Sequence, residues 1–153
     1  MDEKDKAVEY FNAGYNCAES LLMAFSEKAG ITADEAKKIA SGFGGGTGGT
    51  HENMCGAVNA AIVVLGLTDG GYAPDDAAAK KNLYGKVSGL IAEFKERNAS
   101  ANCRELLGFL ANEKKEGSAP KTAGRPCGRF VADAAELLAK KVKTGDYAKG
   151  ESV

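Results

Sequence analysis

The sequence predicts an all-α fold in a single domain, a bundle of six to seven helices with a glycine-rich loop before a central helix. Three observations carry this. Apolar residues recur at spacings of three and four through nearly every segment. Ala, Leu, Lys and Glu dominate those segments, and alternating strand patterns are nearly absent. The breaks between segments fall at glycine, proline and capping residues. At 153 residues the chain is long enough to bury one real core. Residues 1–153 are therefore expected to form one helical domain, with a frayed polar tail over 144–153.

The elements follow in order. A first helix is expected from Lys4 to Gly14, and a second from Asn16 to Ala29, with Leu21, Leu22 and Phe25 facing inward and Gly30 as the stop. Thr32-Ala33-Asp34-Glu35 is a capping box, so a short helix should run to about Ser41. Six glycines within the nine residues from Gly42 to Thr50 make that stretch a loop. A helix from about Glu52 to Leu67 follows, and its Gly56, Ala57, Ala60 and Ala61 leave room for a neighbouring backbone. Pro74-Asp75-Asp76 starts a long helix to about Asn98, with Leu83, Val87, Leu90, Ile91 and Phe94 on one face. A shorter helix is expected from Cys103 to near Leu110, then a polar loop from Asn112 to Arg125. The last helix starts at Pro126-Cys127, with Cys127, Phe130, Val131, Ala134, Leu138 and Val142 as its apolar stripe.

Composition narrows the function classes. Hydrophobic residues make up 44% and charged residues 27%, the net charge is −1, and there is one histidine. That balance predicts no nucleic-acid partner. The mixed-charge N-terminus does not read as a signal peptide, and the 11-residue apolar run from Ala57 to Leu67 is too short to span a bilayer. The expectation is a cytoplasmic protein without membrane insertion, in which catalytic, metal-binding or transient redox cysteines are favoured over permanent disulfides.

The four cysteines are the candidate functional residues. Cys17, Cys55, Cys103 and Cys127 are each expected in the first turn of a helix, on its apolar side. A helix N-terminus lowers a thiol pKa and favours the reactive thiolate. Between successive cysteines lie 37, 47 and 23 residues, and no Cys-x-x-Cys occurs. That argues against a thioredoxin-like motif and common zinc knuckles. Any cluster must be assembled by converging helix N-termini. His51 lies four residues before Cys55, and the pair is a candidate for metal binding or for base activation of the thiol. Cys55 is accordingly the expected nucleophile, Cys103 and Cys127 the expected resolving partners, and Cys17 the more buried thiol.

Gly44-x-Gly46-x-x-Gly49 matches a dinucleotide-binding pattern literally, but its lead-in Ile39-Ala40-Ser41 looks helical where that pattern needs a strand. The loop, with Gly44, Gly45, Gly46 and then Gly56, is expected instead to shape the surroundings of Cys55 and to offer amides to a small ligand or to the sulfurs.

The order Asn16-Cys17-Ala18, glycine-rich loop, Cys55-Gly56-Ala57-Val58-Asn59-Ala60, Cys103 and Cys127 resembles the redox-active C_GCAxxG_C_C family. The resemblance spans roughly Tyr10 to Val142. Each cysteine matches a family cysteine, Gly56 and Ala57 match the Cys-Gly-Ala-x-x-Gly motif, and Ala60 stands where the pattern has glycine. The resemblance implies redox activity. The function expected is thiol–disulfide exchange, an oxidoreductase chemistry, with a redox partner or a small substrate. One alternative is an iron–sulfur cluster or zinc held by the four thiolates. The other is a non-enzymatic helical scaffold with inert buried thiols.

Overall fold

The computed structural model describes residues 1–115 and 127–142, excepting the side chains of 112–115. Within them the chain forms α1 (Glu3–Asn12), α2 (Cys17–Ala24), α3 (Ser26–Ala29), α4 (Ala33–Ala40), α5 (Gly56–Asp69), α6 (Ala77–Asn98), α7 (Cys103–Lys115) and α8 (Gly128–Ala139). A 3-10 turn over Ser41–Phe43 follows α4, and no strand occurs among the described residues. The all-α expectation holds. The expected loop over 116–125 and the expected frayed tail over 144–153 lie outside the described residues.

α2 is the axis of the bundle, packed against α1, α4, α5 and α8. Its Ala18, Leu21 and Leu22 are fully buried, as is Phe25 just beyond it. α5 packs against α2, its Gly56, Ala57, Ala60 and Ala61 are all buried, and the close approach is realised at Gly56, beside Cys17 and Ala18. α6 buries Leu90 and Phe94, with Leu83, Val87 and Ile91 half-buried beside them, and α8 buries Phe130, Val131, Ala134 and Leu138. Polar ties close the outside. Arg97 of α6 donates to Glu136 of α8 at 2.9 Å, and Lys4 of α1 reaches Glu136 at 3.0 Å.

Local chemistry sets the boundaries. Asn16 and Thr32 each accept from the amide three residues on, and Glu19 and Glu35 reach back, so both helices start on complete capping boxes. Gly30 ends α3 in the left-handed conformation, at φ 75°. Four expectations need correction. The helix expected over 16–29 breaks at Phe25 (φ −98°, ψ 6°), where the Ser26 hydroxyl donates to the Met23 carbonyl at 2.8 Å and competes with the helical ladder. α5 begins at Gly56, not Glu52, because His51 has φ 61° and the Cys55 amide donates to Ala101 instead of to a helical turn. α6 begins at Ala77, with Asp76 as its cap. α7 continues to Lys115 instead of ending near Leu110, since Glu113, Lys114 and Lys115 are good helix formers despite their polarity.

The glycine-rich loop coils left-handed. Gly45, Gly46, Thr47, Gly48 and Gly49 have successive positive φ angles of 60°, 68°, 71°, 60° and 71°. The loop is closed internally, with the Gly48 amide on the Gly42 carbonyl at 2.8 Å and the His51 amide on the Gly45 carbonyl at 2.9 Å. Thr47 is the residue least suited to this conformation, since its branched side chain crowds the backbone there at about 1–2 kcal/mol. Thr47→Gly is therefore expected to gain about 0.5–1 kcal/mol after the extra flexibility of the unfolded chain is counted. Urea unfolding measures it, and an unchanged or lower midpoint contradicts the strain.

Candidate functional site: four thiols around one cavity

The four cysteines stand at helix N-termini in two registers. Cys17 and Cys103 are the first residues of α2 and α7, whereas Cys55 and Cys127 are the caps preceding α5 and α8. All four line a single partly open cavity of about 230 Å³, together with His51, Asn16, Gly45 and Gly56. None of the four is in a disulfide. Phe11, Leu106, Leu107 and Phe130 form its apolar walls. The convergence that the long cysteine spacings required is thus present.

A two-residue antiparallel bridge fixes part of this geometry. Met54 pairs with Asn102, the Cys55 amide donates to the Ala101 carbonyl at 2.7 Å, and the Cys103 amide donates to the Asn53 carbonyl at 2.9 Å. The bridge clamps the starts of α5 and α7 together immediately before their cysteines. Two residues carry no periodicity, so sequence patterning had no means of finding it.

His51 belongs to Cys103, not to Cys55. Its Nδ1 lies 3.4 Å from the Cys103 Sγ. The helical face expected to join His51 to Cys55 does not exist, because His51 sits in the left-handed turn that ends the loop. The loop lines the cavity beside Cys55 through Gly45 and also presses on a second thiol. A Cβ on Gly46 would lie 2.6 Å from the Cys103 Cβ and 2.9 Å from the His51 Cα, so the loop backbone presses on that pair. A Cβ on Gly44 would overlap the Asn16 side chain, whose Nδ2 donates to the Ser41 carbonyl at 3.2 Å. Gly56 has its own role: a Cβ there would lie 2.6 Å from the Cys17 Sγ and 2.7 Å from the Phe43 carbonyl oxygen. The glycine after Cys55 is what lets Cys17 close on α5.

Burial reverses the expected order of accessibility. Cys55 is 5% exposed, while Cys17, expected to be the more buried, is half-buried, as is Cys127. Burial pushes the Cys55 thiol far above its ordinary range, and negative charge on Cys17 pushes the same way. The Val58 and Ala57 amides pull downward, but desolvation wins. A helix N-terminus alone does not make this thiol a thiolate. Burial also raises the Cys103 thiol, Cys17 adds to that, and the Arg104 charge opposes both.

The raised Cys55 thiol carries a linkage consequence. In the unfolded chain a cysteine ionises near pH 8.5. Above that pH the unfolded state loses a proton that the folded state keeps, so stability is full below about pH 8.5 and falls as pH rises beyond it. In reduced protein, Cys55→Ala is expected to flatten this alkaline decline, as followed by urea midpoints between pH 7.5 and 10. An equally steep decline in the variant contradicts it.

Asn16, Phe11, Leu106, Leu107 and Phe130 were not singled out as site residues. Asn16 was detectable, since Asn three residues before Glu19 is a capping-box signal that fixes the start of α2 beneath Cys17. The apolar wall residues carry no mark that separates a cavity wall from a core. As for metal ligation, the thiolate donor set suits zinc or iron–sulfur chemistry. Yet among the described residues no group of three or more His, Cys, Asp or Glu side chains is placed to hold an ion.

Helices that converge their N-terminal cysteines on one cavity define a multi-thiol helical protein. The comparisons agree with that class. The family described as "Putative redox-active protein (C_GCAxxG_C_C)" matches residues 15–141, and the chain belongs to it. An uncharacterized protein of Archaeoglobus fulgidus is 29% identical over 157 residues, covering 94% of this chain and 97% of its own length. No solved structure matches. No helix among the described residues is long and apolar enough to cross a membrane.

Proposed function

We propose that this protein is a cytoplasmic thiol–disulfide oxidoreductase in which Cys103 is the attacking thiol, His51 its base and Cys17 the resolving thiol. The observation that carries this reading is His51 Nδ1 at 3.4 Å from the Cys103 Sγ, inside a cavity that Cys17 also lines. Burial works against a free thiolate at Cys103, so a base within reach is what the chemistry needs. His51 takes the Cys103 proton, and the thiolate attacks one sulfur of a substrate disulfide. The S–S bond breaks, a mixed disulfide forms on Cys103, and the leaving thiolate takes the proton back from His51. Cys17 then loses its proton to solvent and attacks the Cys103 sulfur. This yields a Cys17–Cys103 disulfide and releases the second thiolate, which is protonated by solvent. The substrate disulfide is reduced by two electrons, and the protein dithiol is oxidised by two.

Cys17 suits the resolving role because it is half-buried and lines the same cavity as Cys103. Cys55 and Cys127 complete the wall, and Cys55 stays protonated behind it. Thiol counting on reduced, metal-free protein tests the reading. Excess small disulfide is expected to consume two thiols per chain, with release of two small thiols, reversibly on addition of dithiothreitol. Loss of no thiol, or accumulation of a stable one-thiol adduct, contradicts it.

A further inference from the structure

We infer that the substrate of this site is a small, uncharged, apolar disulfide, and not a charged one such as glutathione disulfide or cystine. The inference rests on the exchange reading above and adds to it the class of molecule taken. Three features of the cavity carry it. First, at about 230 Å³ it is smaller than the roughly 300–1,000 Å³ of ordinary ligand clefts. Its occupant is correspondingly small. Second, the walls facing the thiols are Phe11, Leu106, Leu107 and Phe130, and the Phe130 ring is 1% exposed, so this surface is continuous with the core. Third, among the described residues His51 is the one side chain lining the cavity, thiols aside, that takes or gives a proton. No Lys, Arg, Asp or Glu among them lines it.

The physical consequence is selectivity by desolvation. A disulfide bearing carboxylates or ammonium groups must carry those charges into a cavity that no charged side chain among the described residues lines, the Arg129 guanidinium being stacked 5.1 Å from the Phe130 ring centre, and an unpaired charge is expensive to bury. An apolar disulfide carries no such charge penalty and gains from the removal of its own apolar surface from water. Arg104 does not rescue an anion. Its guanidinium is directed outward, with Nη2 donating to the Thr50 carbonyl at 3.3 Å and lying 3.9 Å from Glu52.

The experiment compares oxidation of reduced protein by diethyl disulfide, cystamine (cationic) and dithiodiglycolate (anionic), each rate divided by that of free dithiothreitol with the same disulfide. The expected result is a normalised rate for diethyl disulfide at least a hundredfold above both charged compounds. Leu107 is half-buried, and Leu107→Lys is expected to shift preference towards dithiodiglycolate by at least tenfold. Charged disulfides reacting as fast as diethyl disulfide would overturn the inference. Two thioethers that cannot exchange separate this failure from failure of the exchange reading. Dipropyl sulfide is expected to slow alkylation of Cys103, and thiodipropionate is not. If no disulfide oxidises the protein while dipropyl sulfide still protects, exchange fails and the apolar ligand class stands. Equal protection by both thioethers, or none by either, overturns the ligand class.

Discussion

On the proposed mechanism, Cys103→Ser is expected to lower the rate of disulfide reduction by about a thousandfold or more, because serine leaves no thiolate to attack and nucleophile loss is the largest single loss such a site sustains. His51→Asn lowers it by about a hundredfold at pH 7, the size expected for removing a general base. Asparagine is the substitution of choice, since position 51 has φ 61° and asparagine tolerates that conformation. The pH profile separates a base from a structural prop. In His51→Asn the rate recovers as pH rises towards the ionisation of the thiol itself, whereas a merely distorted site stays slow at every pH. Cys17→Ser is expected to behave differently again, forming the mixed disulfide on Cys103 at near-normal speed and then stalling. Stopped-flow thiol release with intact-mass analysis reads all three. Full activity in Cys103→Ser would remove that residue from the chemistry.

The largest stability effect is expected at Gly46. Alanine there meets two separate penalties. Its backbone sits at φ 68°, which disfavours a side chain by about 1–2 kcal/mol. Its Cβ would also lie 2.6 Å from the Cys103 Cβ and 2.9 Å from the His51 Cα, an overpacking that costs about 1–3 kcal/mol. The sum is about 2–5 kcal/mol. Gly48→Ala is the matched control, because Gly48 has φ 60° but nothing within 4 Å of a built Cβ. It is expected to lose about 1 kcal/mol. Urea unfolding of both variants measures the difference, and equal losses would mean that the loop does not press on the Cys103–His51 pair. Gly46→Ala also pushes that pair apart, so its residual folded fraction is expected to exchange slowly.

The two effects meet at the same place, the contact between a left-handed loop and the start of α7. The sequence shows why part of this was legible and part was not. Helix periodicity, the capping box at Thr32 and the glycine stop at position 30 are local signals, and the structure realises each of them. The N-terminal placement of all four cysteines is also local, and it holds to within one residue of each helix start. What could not be read is which thiol meets which neighbour. The assignment of His51 to Cys55 assumed that an i, i+4 spacing lies on one helix. His51 has a positive φ and the Met54–Asn102 bridge follows it, so that helix starts only at Gly56, and the bridge depends on a partner far along the chain. The same long-range packing buries Cys55 and leaves Cys17 half-exposed, and burial outweighs the helix terminus in setting the Cys55 ionisation. A local signal thus located the thiols, and the tertiary contacts decided their chemistry.

The central claim is that Cys103 and Cys17 form the working pair, and mapping the disulfide tests it most directly. Reduced, metal-free protein is oxidised with one equivalent of diethyl disulfide. Remaining thiols are alkylated under denaturing conditions, and the digest is read by mass spectrometry without reduction. The account predicts a peptide pair joined through Cys17 and Cys103, with Cys55 and Cys127 alkylated, and complete reversal by dithiothreitol. A bond joining Cys55 to Cys127, a bond between two chains, or four alkylated thiols would contradict it.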